Sequence, residues 1–224
     1  MKRLVGVAVT ALLSVSVCFT AFGAVSTNAS PWAAPHMEQA YSLQLISAPL
    51  LQQAQDTMTR VEFSEIAVAF YEKVTGTTAP MTEENPFSDC NEQAALKAYR
   101  LGIIAGVEPG TFAPENPLTR EQMAIMLVRT LEKVGVDMSL YAKKNPFTDT
   151  KNIGATTVSY IDKAYGAGLI SGYQNGTFAP KNTLKVQEAV TAFLSAYTFY
   201  EGVQNGTSIP CLLYTSPSPR DRTR

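Results

Sequence analysis

The 224 residues carry 18 Lys and Arg against 19 Asp and Glu, a formal net charge of −1, and 46% of them are hydrophobic. A near-neutral chain without a basic stretch lacks the electrostatic footprint of a phosphate-backbone binder, so nucleic acid is not an expected partner. One histidine (His36) and three scattered cysteines offer no disulfide framework, no zinc spacing and nothing like a nucleophile elbow, so no catalytic residue, metal ligand or cofactor is expected.

In chain order, Met1-Lys2-Arg3 is a short basic stretch followed by the apolar run Leu4–Phe22 and small residues at Ala21-Phe22-Gly23 and Ala24-Val25-Ser26. This is the pattern of a secretory signal peptide over residues 1–26, which makes the protein exported and leaves no membrane segment after cleavage. A retained anchor is the alternative, because the run approaches spanning length. Cys18 does not make a lipoprotein signal, since Val17 stands where a small residue is needed. At the other end, residues 211–224, "CLLYTSPSPRDRTR", break with the preceding composition and resemble a translated sequencing adapter. On that reading the natural frame is cut near Pro210 and a C-terminal cargo domain is missing; a disordered Ser/Pro/Arg tail is the alternative. Removing both ends leaves a core charge of about −5 from the residues as they stand, with Cys90 its one cysteine.

Between these ends the chain repeats itself. "NPFSD" at 85–89 returns as "NPFTD" at 145–149, and "KAYRLGIIAGVEPGTFAP" at 97–114 returns as "KAYGAGLISGYQNGTFAP" at 163–180, identical at 11 of 18 positions. A weaker first copy runs from "SPWAAPHMEQAYSLQLI" (30–46) to "MTRVEFSEIAVAFYEKV" (58–74). Each copy reads as helix, glycine-rich loop, helix. In the second copy Ala94, Ala95, Ala98, Tyr99 and Leu101 form an apolar stripe and Gly102 ends the helix at the C′ position. Asp89 and Asp149 read as N-caps, Phe112 and Phe178 as loop anchors, Tyr99 and Tyr165 as core residues, and Gly106, Gly110, Gly172 and Gly176 as backbone-geometry positions. Thr119 with Gln122, and Thr59 with Glu62, spell capping boxes ahead of the second helices. Met123, Met126, Leu127, Thr130, Leu131 and Val134 then share one face, matched by Ile66, Ala69, Phe70 and Val74, and by Val190, Phe193, Leu194 and Tyr197. A single helix pair cannot bury such a stripe, so the copies are expected to share one all-α core.

Arg120 sits in the first turn of its helix, where the backbone dipole disfavours a cation by about 0.3–1 kcal/mol. A helix start presents free N–H groups, and an arginine fork beside them would make a carboxylate receptor. The copies are unequal. The first keeps Thr59, Arg60 and Glu62 but has Gln44 where the second has Gly102, and "SAPLLQQAQDT" in place of the glycine loop. The third keeps the loop but reads "LKVQEA", with Lys185 at the cap and Val186 at the arginine position, which leaves that helix without its cap.

The ordered set, F-x-D, a helix ending in G-[IL]-I-x-G, G-T-F-x-P and then [LM]-T-R-x-[EQ], resembles the S-layer homology repeat over residues 30–202. The resemblance implies three repeats in a pseudo-threefold bundle with the second helices central: 27–78 with a degenerate loop, 79–140 the most complete, and 141–203 with a degenerate T-R-E motif, followed by a linker and tail at 204–224. It implies a non-catalytic, exported region at the cell surface or S-layer. Its partner would be a cell-wall polysaccharide or peptidoglycan-linked polymer, often one bearing a pyruvyl ketal. The ligand contacts carried over, or read beside it, are Arg120, Thr119, Arg60, Thr59, Trp32, Gly110, Gly176 and Lys185, in grooves between neighbouring repeats. The anchor of a larger surface enzyme, or of an S-layer or outer-membrane protein, is the alternative whole.

Overall fold

The computed structural model describes residues 27–206; the signal-peptide and adapter-like segments lie outside these. Seven α-helices make up the described chain: α1 (Ala34–Ser42), α2 (Ala48–Gln52), α3 (Arg60–Thr75), α4 (Gln93–Arg100), α5 (Arg120–Lys133), α6 (Ala155–Gly166) and α7 (Val186–Gln204), with short 3₁₀ turns at Met138–Tyr141 and Thr150–Asn152. The fold is all-α, with isolated β-bridges in place of any named strand among the described residues.

The long helices α3, α5 and α7 pack on one another, while α4 lies against α3, α6 against α5 and α1 against α7. Helix α7 is apolar on nearly every side, which only a central position tolerates; Val190, Phe193, Leu194 and Phe199 are each at most 3% exposed. Phe193 meets Phe63 at 4.7 Å between ring centroids and Phe70 at 6.2 Å, so the aromatic residues of α3 and α7 share one centre. The expected face of α5 is buried from Met123 to Leu131, with Val134 partly covered. In α4 the stripe is turned slightly from the expected one. Leu96 joins Ala95, Ala98 and Leu101 inside, and Tyr99 is 39% exposed.

A ring of three backbone hydrogen bonds marks the pseudo-threefold axis. The residue just before each N-cap donates its N–H to its counterpart in another copy: Met58 to Leu184 (2.9 Å), Leu118 to Met58 (2.8 Å) and Leu184 to Leu118 (3.2 Å). All three side chains are at most 1% exposed. Outside this ring the first helix of each copy ends alike. Gly102 and Gly168 take φ of +76° and +70°, and Gln44 takes +59° at the matching place. Each donates back into the last turn in the Schellman pattern, for example Gly102 N–H to Tyr99 and Ile103 N–H to Ala98. The first copy, lacking the glycine loop, instead coils residues 48–52 into the short helix α2.

Candidate functional site

The three seams between copies meet at the starts of α3, α5 and α7. At α5 the expected capping box forms: Gln122 N–H donates to Thr119 Oγ1 (3.4 Å) and Thr119 N–H to Gln122 Oε1 (3.1 Å). Thr59 and Glu62 do the same at α3 (3.3 and 2.8 Å). The helix starts are not open, however. Arg120 N–H donates to Asn182 O and Glu121 N–H to Pro180 O, both in the next copy's loop. Arg60 and Val61 likewise donate to Asn116 and Pro114, and Val186 and Gln187 to Asp56 and Ala54. The first two amides of each helix are therefore spent on a neighbour's carbonyls. At α3 and α5 the third is spent on the cap threonine, and at α7 it goes to the cap residue's own carbonyl. The expected anion site on free helix amides is corrected accordingly: protein oxygens already fill it.

The arginine side chains finish the same stitch. Arg120 is 5% exposed and Arg60 6%. Arg120 Nε donates to Phe178 O and Nη2 to Ser171 O, each at 2.7 Å. Arg60 Nε donates to Phe112 O and Nη2 to Ala105 O, each at 2.9 Å. The guanidinium carbons lie 4.6 Å from the Phe178 centroid and 4.7 Å from that of Phe112; only Arg120 also has a second ring, Tyr173, at 5.0 Å. Charge-assisted bonds to two carbonyls and an aromatic face offset the dipole cost of a cation in the first turn. Burial pulls the Arg60 guanidinium below its ordinary pKa, an effect that the nearby Asp89 carboxylate opposes. Each arginine keeps Nη1 without a protein acceptor among the described residues. The one fully buried side-chain polar atom there without a partner is Trp32 Nε1, so both Nη1 groups reach solvent.

Asp89 and Asp149 act as latches: Asp149 stands at the N-cap position of the Thr150–Asn152 turn but makes no side-chain cap there, and the N-cap position of α4 is held by Glu92 rather than Asp89. Asp89 accepts from Phe112 N–H and Ala113 N–H (2.8 Å each), and Asp149 from Phe178 N–H (2.8 Å) and Ala179 N–H (2.7 Å). Those alanines have φ of +57° and +53°, a region that costs an L-residue about 1–3 kcal/mol and persists only where the surroundings enforce it. The two amide bonds, Phe112 N–H foremost, hold the Asp89 carboxyl below the usual aspartate range. The F-x-D repetition was visible in sequence, but its partner lies 23 residues away, too far for a local reading to reach. Phe112 and Phe178 are loop anchors, both fully buried. Tyr165 is partly buried against the core, as expected, whereas Tyr99 is exposed; both stand edge-on to a phenylalanine, Phe87 at 5.1 Å for Tyr99 and Phe147 at 5.4 Å for Tyr165.

Gly110 and Gly176, at φ of +77° and +79°, turn the loops so that their carbonyls accept from Ser88 N–H (2.8 Å) and Thr148 N–H (3.0 Å). The third seam is built differently. Lys185 has no side-chain acceptor, so only the Glu188 half of the box forms, with Lys185 N–H donating to Glu188 Oε2 at 2.9 Å. The expected missing cap is thus half present. Lys185 Nζ donates to Gln55 Oε1 (2.7 Å), and the 1% exposed Gln187 accepts from Ser30 N–H (2.9 Å) and Gln55 Nε2 (3.1 Å). A neutral glutamine network replaces the arginine strut. Sequence reading passed over Gln55 and Gln187, which have no counterpart in the other copies. Trp32 stands outside this network; its carbonyl faces His36 Nδ1 at 3.2 Å. A separate apolar cleft of about 990 Å³ lies in the first copy, among Tyr41, Leu45, Ile46, Leu50, Leu51 and Ala69.

Fold and seams together define a closed ring of helical repeats, with loops stitched to neighbouring helix starts. Residues 88–124 and 146–189 match the model of the S-layer homology domain, and these two segments are S-layer homology repeats. The first copy lies outside both matches and joins them through the backbone ring. An endoglucanase of Bacillus sp. (strain KSM-635) is 29% identical over 175 residues, 75% of this chain and 18% of that protein. Cell surface glycoprotein 1 of Acetivibrio thermocellus is 37% identical over 116 residues, 47% of this chain and 5% of that protein. The cellulosome-anchoring protein of the same organism is 32% identical over 90 residues, 39% of this chain and 19% of that protein. The chain thus spans less than a fifth of the length of each of these relatives.

Proposed function

We propose that this chain is a non-catalytic wall-holding region of an exported protein, binding an acidic secondary cell-wall polysaccharide non-covalently in the seams between repeats. The family matches support cell-wall anchoring at the cell surface, as do relatives named as a cell-surface glycoprotein and a cellulosome-anchoring protein. The repeat bounds 27–78, 79–140 and 141–203 belong to this proposal. The observation that carries the ligand class is the state of Arg60 and Arg120. Each is a planar cation fixed against an aromatic ring, with two nitrogens committed and Nη1 open. A carboxylate such as a pyruvyl ketal would accept from Nη1 without displacing the strut, and a rigid donor loses little entropy on binding. Thr59, Thr119, Gly110 and Gly176 shape those two seams, whereas Lys185 and Trp32 belong to the third copy-to-first region, where no arginine stands.

Similarity to an endoglucanase over only 18% of its length supports a second reading of the whole, in which this region tethers a surface enzyme. Sequencing the encoding gene on both sides of the described residues separates the two wholes. The binding proposal is tested by co-sedimentation of the protein with purified wall sacculi. Three preparations are compared: intact, stripped of secondary polymer, and retaining polymer with its ketal groups hydrolysed. Binding to the first alone is expected. Equal sedimentation with all three would overturn the acidic-polymer reading, and binding lost only on stripping would keep the polymer but reject the ketal.

A further inference from the structure

Further along the seam that Arg120 opens, between α5 and α6, the Arg129 guanidinium lies over the ring of Tyr160 in the neighbouring copy. The guanidinium carbon is 5.3 Å from the ring centroid, and Nε donates to the Tyr160 hydroxyl at 3.3 Å. Lys163 Nζ approaches the same ring to 5.5 Å and forms an ion pair with Glu132 at 2.7 Å. Arg129, Glu132, Lys133, Tyr160, Leu101 and Gly102 line a recess of about 420 Å³. Arg129 and Lys133 line this recess with Glu132, whose carboxylate is engaged by Lys163, a lysine that also faces the Asp137 carboxylate; among the described residues Arg129 makes no ion pair.

The internal symmetry supplies a control for what the fold itself requires. The Glu132–Lys163 pair has an equivalent in Glu72–Lys97 (2.8 Å) one seam earlier, so that pair serves helix packing. The Arg129–Tyr160 pair has none: the matching positions are Ala69 with Ala94, and Ser195 with His36. Packing of the three helix pairs therefore does not call for an arginine here. A guanidinium held over a ring and by its Nε bond to the ring hydroxyl, with neither terminal nitrogen given an acceptor among the described residues, is preorganised for a planar oxyanion, and Lys133 adds a second charge.

We propose that this recess is an oxyanion-binding site for a carboxylate or phosphate group, distinct from the Arg60 and Arg120 struts at the helix starts and independent of the wall-anchoring reading. The test follows the Arg Nε–Hε signals of the ¹⁵N-labelled full chain during separate titrations with sodium acetate and inorganic phosphate at fixed pH and ionic strength. The exposed Arg100 serves as internal reference. A saturable shift of Arg129 with at least one anion, against a linear drift of Arg100, is expected. Saturation by acetate alone, phosphate alone or both identifies a carboxylate, phosphate or shared site. Lys133→Gln, read on the same Arg129 signal, is expected to weaken binding several-fold. Arg129→Lys, which keeps charge and loses the fork, is expected to lower affinity by about tenfold, read at the Tyr160 ring. Absence of saturation with both anions, or unchanged affinity in both variants, overturns the site.

Discussion

Residue by residue, the loops of the second and third copies are pinned to the rest of the molecule by side chains 23 to 58 residues away in sequence. Asp89 is the clearest case, since its two oxygens tie down Phe112 and the left-handed Ala113. Because the folded carboxyl titrates below its ordinary value of 3.8, its contribution is fully present above that pH and is lost as pH falls through the lower folded value. Hydrogen-exchange protection of the Phe112 and Ala113 amides is expected to hold from neutral pH down to about 4 and to fall below it. Asp89→Asn should remove it even at neutral pH. Gln44 is the opposite case, a side chain where a glycine would cost nothing. Relief of its positive φ, less the entropy that glycine adds to the unfolded chain, gives Gln44→Gly about 0.5–1 kcal/mol of added stability in urea unfolding.

At the level of elements, much was legible. The repeated T-R-x-[EQ] spelled the helix starts, the αL positions marked the ends of the first helices, and the period of α5 named its buried face. Three things were not. The destination of the helix-start amides depends on the neighbouring copy's loop, so a pattern read within one copy presented them as free. The same holds for Arg120, whose partners Ser171 and Phe178 lie 51 and 58 residues away. Helix α2 was hidden because degeneration of the glycine loop removed the signal without announcing its replacement. Caps make a direct test of these boundaries: Thr119→Ala is expected to cost about 1 kcal/mol. Lys185→Ala should cost less at the cap, because Lys185 contributes only its backbone there, and its measurable loss would come from the Gln55 contact.

For the whole molecule, the ring closes because every copy gives its helix start to the next copy's loop and its preceding residue to the axis. Two of those closures are reinforced by a buried arginine and the third by a glutamine network. The domain is therefore expected to unfold in one cooperative transition by both far-ultraviolet circular dichroism and tyrosine fluorescence. Non-coincident curves would point to copies that fold separately. The central claim is that Arg120 is first a strut between copies and only then, through Nη1, a receptor. Urea unfolding of Arg120→Gln against the wild type tests it most directly. The account predicts a loss of about 2–4 kcal/mol, because two carbonyls and a closing contact lose their charged donor. A variant within about 0.5 kcal/mol of wild type, the range of an ordinary surface substitution, would contradict it and return Arg120 to the role of a ligand contact alone.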